Sequence, residues 1–203
     1  MRAGHAPWLV DPGRVGGLIA GTPASQRRGC GAAELRAALA DYLNRVRATH
    51  AEADTVLVTS GYAQAVSLLM RVLASRGATT VAVEDPSASD DARPHAEALG
   101  MEVIGVPVGA DGVSVDAVSA LRAGALILTP SHEWPTGGVL SPTARAAVLA
   151  WAQRTGAMVI EHDYDAEYRY DRAPIGAIQG LDPDRVIYAG TASKTLAPGF
   201  SLG

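Results

Sequence analysis

One cysteine, one lysine and one phenylalanine occur among the 203 residues, and aromatic residues make up only 5% of the chain. The single thiol, Cys30, excludes an internal disulfide, and no CxxC or Cys/His spacing is present to hold a structural metal. Cys30 reads as a small, semi-buried residue of a glycine-rich turn. Basic runs are missing as well. The net charge is −4 and the arginines are scattered, so no stripe forms that would neutralise nucleic-acid phosphates. No apolar run approaches the length of a membrane span, and the N-terminal MRAGHAPWLVDPGRVGG lacks the apolar stretch of a secretion signal. A cytoplasmic location is expected, with neither membrane nor nucleic acid as a partner of this segment.

What the chain does have is alternation. Residues 1–33 are rich in Gly, Pro and Arg and read as an irregular arm ahead of one unit over residues 34–203. Leu35, Leu39, Leu43 and Val46 recur at helical spacing, which predicts an amphipathic helix with its arginines turned to water. The β-branched TVLVT (55–59) predicts a strand, followed by a helix over YAQAVSLLMRVLASRG with Gly77 at its C-terminal cap. Strands are then predicted at TTVAVED, MEVIGVPV, ALILTP, AMVIEHD and RVIYAG. Helices fall at ASDDARPHAEALG, which must begin or kink near Pro94, and at TARAAVLAWAQRTG. Several of the strands are continuous apolar runs, as parallel strands covered on both faces require. The expected fold is therefore α/β, a three-layer α/β/α arrangement with a mostly parallel sheet.

In such sheets ligands gather at the carboxyl ends of the strands, and the polar residues of this chain collect there. Ser60-Gly61-Tyr62, between a strand and a helix, is either an anion nest or a turn in which Ser60 is a plain N-cap. Asp163 is either a working carboxylate or one acid of a solvated turn, DYDAEYRYD. His132 and His162 share no helix face and have no third ligand, so they read as structural histidines. Lys194 stands apart because the chain uses arginine sixteen times and lysine once. A guanidinium stays protonated, whereas an ammonium in a desolvated site can lose its proton and condense with a carbonyl. An aldehyde cofactor with a phosphate and a pyridine ring needs a lysine, an anion nest, a carboxylate and a hydroxyl donor. Lys194, Ser60-Gly61, Asp163 and Tyr164 supply those four types.

The segments VTSGYAQAV, TPSHEWPTGGVLS, ELRAALADYLNRVR and VIEHDYDAEYRYDRAPIGAIQGLDPDRVIYAGTASKTLAPG together resemble a known family. It is the fold-type I pyridoxal 5'-phosphate enzymes, class I/II aminotransferases, and most closely the aminotransferase-like domain of the MocR branch of GntR-type regulators. The resemblance implies pyridoxal 5'-phosphate as cofactor, carried as an aldimine on Lys194. It implies Ser193 and Ser60-Gly61-Tyr62 at the phosphate, Tyr164 at the ring oxygen, and a homodimer with sites at the subunit interface. It also implies that residues 34–203 are part of a large domain whose remaining strands, and a small domain, lie beyond.

Several positions depart from the family's pattern. Glu161-His162-Asp163-Tyr164 replaces an acidic run, which puts His162 in the place of the aspartate that pairs with the ring nitrogen. Ala88 stands where a tyrosine stacks on the ring, and Ser201 where an arginine holds the phosphate. The aromatic turn before the first helix is shortened to Arg28-Gly29-Cys30-Gly31, and His132-Glu133-Trp134 replaces His-Gln-Phe. Three functions follow as expectations. The first is an aminotransferase-like domain acting on amino acids or amines through Lys194. The others are a module that senses cofactor or amine, and a scaffold that keeps the fold without the activity.

Overall fold

A computed structural model describes residues 27–87, 91–165, 175–194 and 203. A 3-10 turn at Arg27–Cys30 leads into α1 (Ala33–Arg47). There follow α2 (Tyr62–Ser75), β1 (Thr80–Asp85), α3 (Ala92–Ala98), β2 (Glu102–Gly109), β3 (Gly112–Val113), α4 (Val115–Ala120) and β4 (Ala125–Leu128). The chain continues through α5 (Pro142–Thr155), β5 (Met158–Asp163), a 3-10 turn at Gln179–Leu181 and β6 (Val186–Gly190). Most of the irregular arm, together with Ala88 and Ser201, lies outside the described residues.

The six strands form one sheet in the order β3-β2-β1-β4-β5-β6. All pairs are parallel except the short β2–β3 hairpin. From β1 the chain first moves outward to β2 and β3, then crosses back to β4 and proceeds in the opposite direction. A right-handed crossover therefore puts α3 on one face and α5 on the other. Strand alternation fills both faces. Val81, Val83, Ile127 and Ile160 pack with α2 and α3, while Ala82, Leu126, Leu128 and Val159 pack with α5, where Trp151 is fully buried. The expected three-layer α/β/α architecture is what the chain adopts. No helix among the described residues is long and apolar enough to cross a membrane.

Local signals account for the element ends. Helix α2 closes in a Schellman arrangement, with Gly77 N–H donating to Ala74 O and Ala78 N–H to Leu73 O, and Gly77 sits at φ 86°. Pro94 falls in the first turn of α3, where its missing N–H costs nothing. Ser141 caps α5 by accepting from Ala144 N–H, ahead of Pro142.

Two sequence expectations need correction. TVLVT forms no ladder strand: Val58 N–H reaches Cys30 O, and Thr59 exchanges two hydrogen bonds with Gly203, so its pairing is spread over two separate partners. Helix α1 is turned the other way round. Leu35 and Val46 are each 36% exposed, whereas Arg36, Ala40 and Arg47 are buried. This helix docks through guanidinium hydrogen bonds, with Leu39 and Leu43 half-buried and the ends of the stripe, Leu35 and Val46, facing out.

Arg47 provides that docking. It is 1% exposed, and its Nε donates to Asp163 Oδ2 at 2.8 Å, Nη1 to Ile175 O at 2.9 Å and Nη2 to Ser131 Oγ at 3.1 Å. Tyr188 OH donates to the same Asp163 oxygen at 2.7 Å. One residue thereby joins α1, the loop after β4, the end of β5 and the segment before β6. The chain turns sharply just beyond it: Ala48 adopts φ 52°, and a Cβ at Gly180 would lie 1.9 Å from Ala48 O. Only glycine permits that approach.

Two buried acids complete the frame. Glu161 accepts from the N–H groups of Ile178 and Gln179, and Glu84 accepts from the N–H and hydroxyl of Thr129. Burial pushes each carboxyl up to about 7 despite those bonds.

Arg47→Met is expected to lower the free energy of unfolding in urea by about 3–5 kcal/mol, because it strands the Asp163 charge, and Asp163→Asn in the same background should recover part of the loss. A loss below about 1 kcal/mol would show that the pair does not hold α1. For Glu84 the folded state binds its proton more tightly than the unfolded chain. Its contribution to stability is therefore complete below pH 4.5 and is lost as pH rises through about 7. Glu84→Gln is expected to stabilise the chain increasingly between pH 4 and 8, by up to about 3 kcal/mol at the upper end, in parallel denaturation series. A pH-independent difference would overturn this assignment.

Candidate functional site

The order of the strands reverses between β1 and β4, and in doubly wound sheets the crevice beyond the carboxyl ends at that point takes the ligand. Five segments meet along this edge: the end of β1 with Glu84, the loop 129–138 after β4, Asp163-Tyr164-Asp165 after β5, the turn 191–194 after β6, and the N-terminus of α2. Gly203 closes the last two together. A Cβ there would lie 2.9 Å from Gly61 C and 3.1 Å from Gly190 O, so Gly203 returns beside the point where β6 ends.

At the α2 end, Gly61 is the N-cap, with φ 88° and ψ 174°, and no side chain caps it. The Ser60 reading as a plain N-cap is therefore replaced. Ser60 is exposed, and its backbone N–H donates to Gln64 Oε1 at 2.5 Å. A glycine here brings the chain into the first turn with an unobstructed amide end. In the β6 turn, Thr191 and Ser193 hydroxyls lie 2.9 Å apart, and Ser193 N–H donates to Thr191 Oγ1. Lys194 follows and is exposed.

Strand β5 places its three polar residues on two faces. Glu161 and Asp163 face the α1 and α5 side, where both are held by hydrogen bonds. His162, between them, faces α2 and stacks on Tyr62 with ring centroids 3.6 Å apart at 16°. The reading of Asp163 as part of a solvated turn is overturned by its 6% exposure. As a working carboxylate it is already engaged by Arg47 and Tyr188. Burial lowers the His162 imidazole to about 4, only partly opposed by the Asp163 charge, so the ring is neutral at physiological pH. Burial together with the Asp163 charge also raises the Tyr188 phenol, which keeps it a donor.

Tyr164 stands next to this stack, its ring centroid 5.6 Å from that of His162. Its hydroxyl is 3.4 Å from His132 Nδ1, and that nitrogen is 2.6 Å from Asp165 Oδ2. Burial and neighbouring acids, Asp165 first among them, push the Tyr164 phenol up to about 12. Tyr62, His162, Tyr164, His132 and Asp165 therefore form one continuous set of rings and hydrogen bonds. No group of three potential metal-binding side chains occurs among the described residues.

The residues that sequence reasoning missed are the supports. Arg47 was read as a solvated helix arginine, since a guanidinium in an amphipathic helix carries no sign of its partner. Arg145 is likewise buried in α5 and donates to the carbonyls of Leu140, Pro130 and Gly176, bracing the loop 129–138 from behind.

Comparison with known proteins agrees with this architecture. Aminotransferase class I and II is the family matched by residues 27–203. The HTH-type pyridoxine biosynthesis transcriptional regulator PdxR of Corynebacterium glutamicum is 35% identical over 85% of this chain and 37% of its own length. The probable rhizopine catabolism regulatory protein MocR of Rhizobium meliloti is 34% identical over 83% of this chain and 34% of its own. An archaeal alanine:glyoxylate aminotransferase superposes with a TM-score of 0.76 at 26% identity, covering 95% of this chain and 50% of that one. The chain thus spans about a third of the length of these curated relatives. The chain shares the fold-type I sheet of these aminotransferases and belongs to the class I and II aminotransferase family.

Proposed function

We propose that this chain is the cofactor-binding part of an aminotransferase-like module, one that takes pyridoxal 5'-phosphate at Lys194 and binds amines there with little turnover. The observation that supports the reading is His162, a neutral, buried imidazole stacked on Tyr62, at the position where the family resemblance implies a charged partner of the ring nitrogen.

The residues present fit the cofactor at two of its ends. The N-terminus of α2 at Ser60-Gly61-Tyr62, which has no side-chain cap at Gly61 and where Gln64 engages the Ser60 N–H, and the hydroxyls of Thr191 and Ser193 suit the phosphate. Lys194 suits the aldehyde, and the protonated phenol of Tyr164 suits the ring oxygen as a donor. When bound, the cofactor supplies an aldehyde that condenses with amines and a ring that draws electrons from the attached carbon. That withdrawal needs a positive ring nitrogen. His162 offers a hydrogen bond without charge, and Asp163 points to the opposite face, so the chain binds and orients without strongly favouring proton removal. A homodimer belongs to the same proposal, as the family resemblance implies, with Leu35 and Val46 of α1 exposed.

The regulator reading is favoured over a full transaminase by His162 and by the similarity to the regulators PdxR and MocR. The unmodified fold without cofactor is the competing outcome. The visible spectrum of the chain with added pyridoxal phosphate, before and after borohydride, separates them. A reducible band and a phosphopyridoxyl group on the Lys194 peptide are expected, both absent in Lys194→Ala. A folded wild-type chain that shows no band is a scaffold without its cofactor. In the loaded chain, His162→Asp should speed the single-turnover reaction with an amine by about tenfold or more, since each tenfold corresponds to about 1.4 kcal/mol at the barrier. An unchanged rate would remove His162 as the cause of low turnover.

A further inference from the structure

The edge that carries the site is acidic, and one of its acids is incompletely bonded. Glu133 is 1% exposed. Its Oε2 accepts from the N–H and the hydroxyl of Thr136, but Oε1 is buried and has no hydrogen-bond partner among the described residues. A desolvated carboxylate oxygen without a donor is costly, and a cationic N–H donor relieves that cost better than any neutral group.

Position adds to this. The Glu133 charge acts on Glu84 at the end of β1 and on Tyr164 after β5, which puts the carboxylate between those strand ends. Trp134, next in the chain, is 61% exposed, and an exposed indole is a ring type that attracts cations. His132, one residue earlier, ties the same loop to Asp165 at 2.6 Å. Carboxylates flanking an exposed aromatic ring are the chemistry that recognises an ammonium. A carboxylate on the ligand would find no such welcome. Among the described residues, the guanidiniums that reach this edge, Arg47 and Arg145, are buried and already donate through Nε, Nη1 and Nη2 to protein groups.

Strands β4 and β6 are separated by β5 alone, so the loop carrying Glu133 and the turn carrying Lys194 leave the sheet about 10 Å apart, two strand spacings. The Glu133 and Lys194 side chains take up part of a span of that order, which leaves the remainder to a short aliphatic chain. We propose that Glu133, with Trp134 and Asp165, forms a subsite for the distal ammonium of a diamine whose other amino group lies at Lys194. The subsite rests on the cofactor-binding reading above and narrows its ligand to amines with a second positive charge.

The test uses the whole chain loaded with pyridoxal phosphate and titrated with putrescine, butylamine and δ-aminovalerate, which share a four-carbon spacer and differ in the far group. The cofactor absorbance and calorimetry are read together. Putrescine is expected to bind at least about tenfold more tightly than butylamine, with δ-aminovalerate weakest. Glu133→Gln keeps an acceptor for Thr136 and should bring the putrescine-to-butylamine ratio close to one, with Asp165→Asn reducing it in part. Because the ratio is taken within each variant, differences in loading cancel. Equal affinities in the wild type, or a ratio that both variants leave intact, would overturn the subsite. If the chain takes up no cofactor, the reading of the preceding subsection falls. The same ratio measured by calorimetry on the cofactor-free chain then decides the subsite by itself, with a value near one rejecting it.

Discussion

A buried guanidinium between a helix end and a strand end is what the rest of this structure depends on. Arg47 reaches Asp163, Ser131 and the Ile175 carbonyl at once, so α1, the loop after β4, β5 and the approach to β6 share one anchor. Burying such a pair gives back little net stability, because desolvation offsets most of the attraction. Its effect is on position. With every nitrogen of the fork engaged, the helix end can sit in only one place, and the chain accepts a left-handed Ala48 and a glycine contact at Gly180 to keep it there.

The same anchor decides what chemistry the site can perform. Alternation along β5 puts Glu161 and Asp163 on one face and His162 on the other. Once Arg47 and Tyr188 hold Asp163, no small backbone adjustment can turn its charge toward the His162 face, since moving one residue in register would also take Glu161 away from the Ile178 and Gln179 N–H groups. That face is therefore left with an imidazole that burial keeps neutral.

Much of the fold was legible because it rests on short-range signals. The apolar runs at β1, β4 and β5 announce strands covered on both faces, and Gly77, Pro94 and Ser141-Pro142 mark helix ends through their own backbone chemistry. Lys194 was legible by composition, as the one lysine among sixteen arginines. The failures share a cause. TVLVT has the composition of a strand, but the partners that Val58 and Thr59 find, Cys30 and Gly203, lie far away in sequence. Helix α1 has a leucine stripe of ordinary period, yet Arg36 and Arg47 are the residues that go inside, because Ala53 O and Asp163 wait for them. β3 and α4 were too short to leave a periodic trace. Polar burial is decided by the partner, and a sequence read locally does not contain the partner.

Retention of the lysine alongside the altered ring-nitrogen position follows from a difference in what two steps demand. Capturing an amine needs an aldehyde, a phosphate cradle and an amino group to hold the cofactor, and none of these depends on the charge of the ring nitrogen. Moving a proton from the captured amine does depend on it, because the ring must accept the electrons that the proton leaves behind. On the proposed reading, a site with His162 in place of the acid and with Lys194, Ser193 and Tyr164 kept loses the second step selectively. For a catalyst that is damage. For a detector it is an advantage, since a ligand that is bound without being consumed occupies the site in proportion to its concentration, and the conformational equilibrium it biases then follows that concentration.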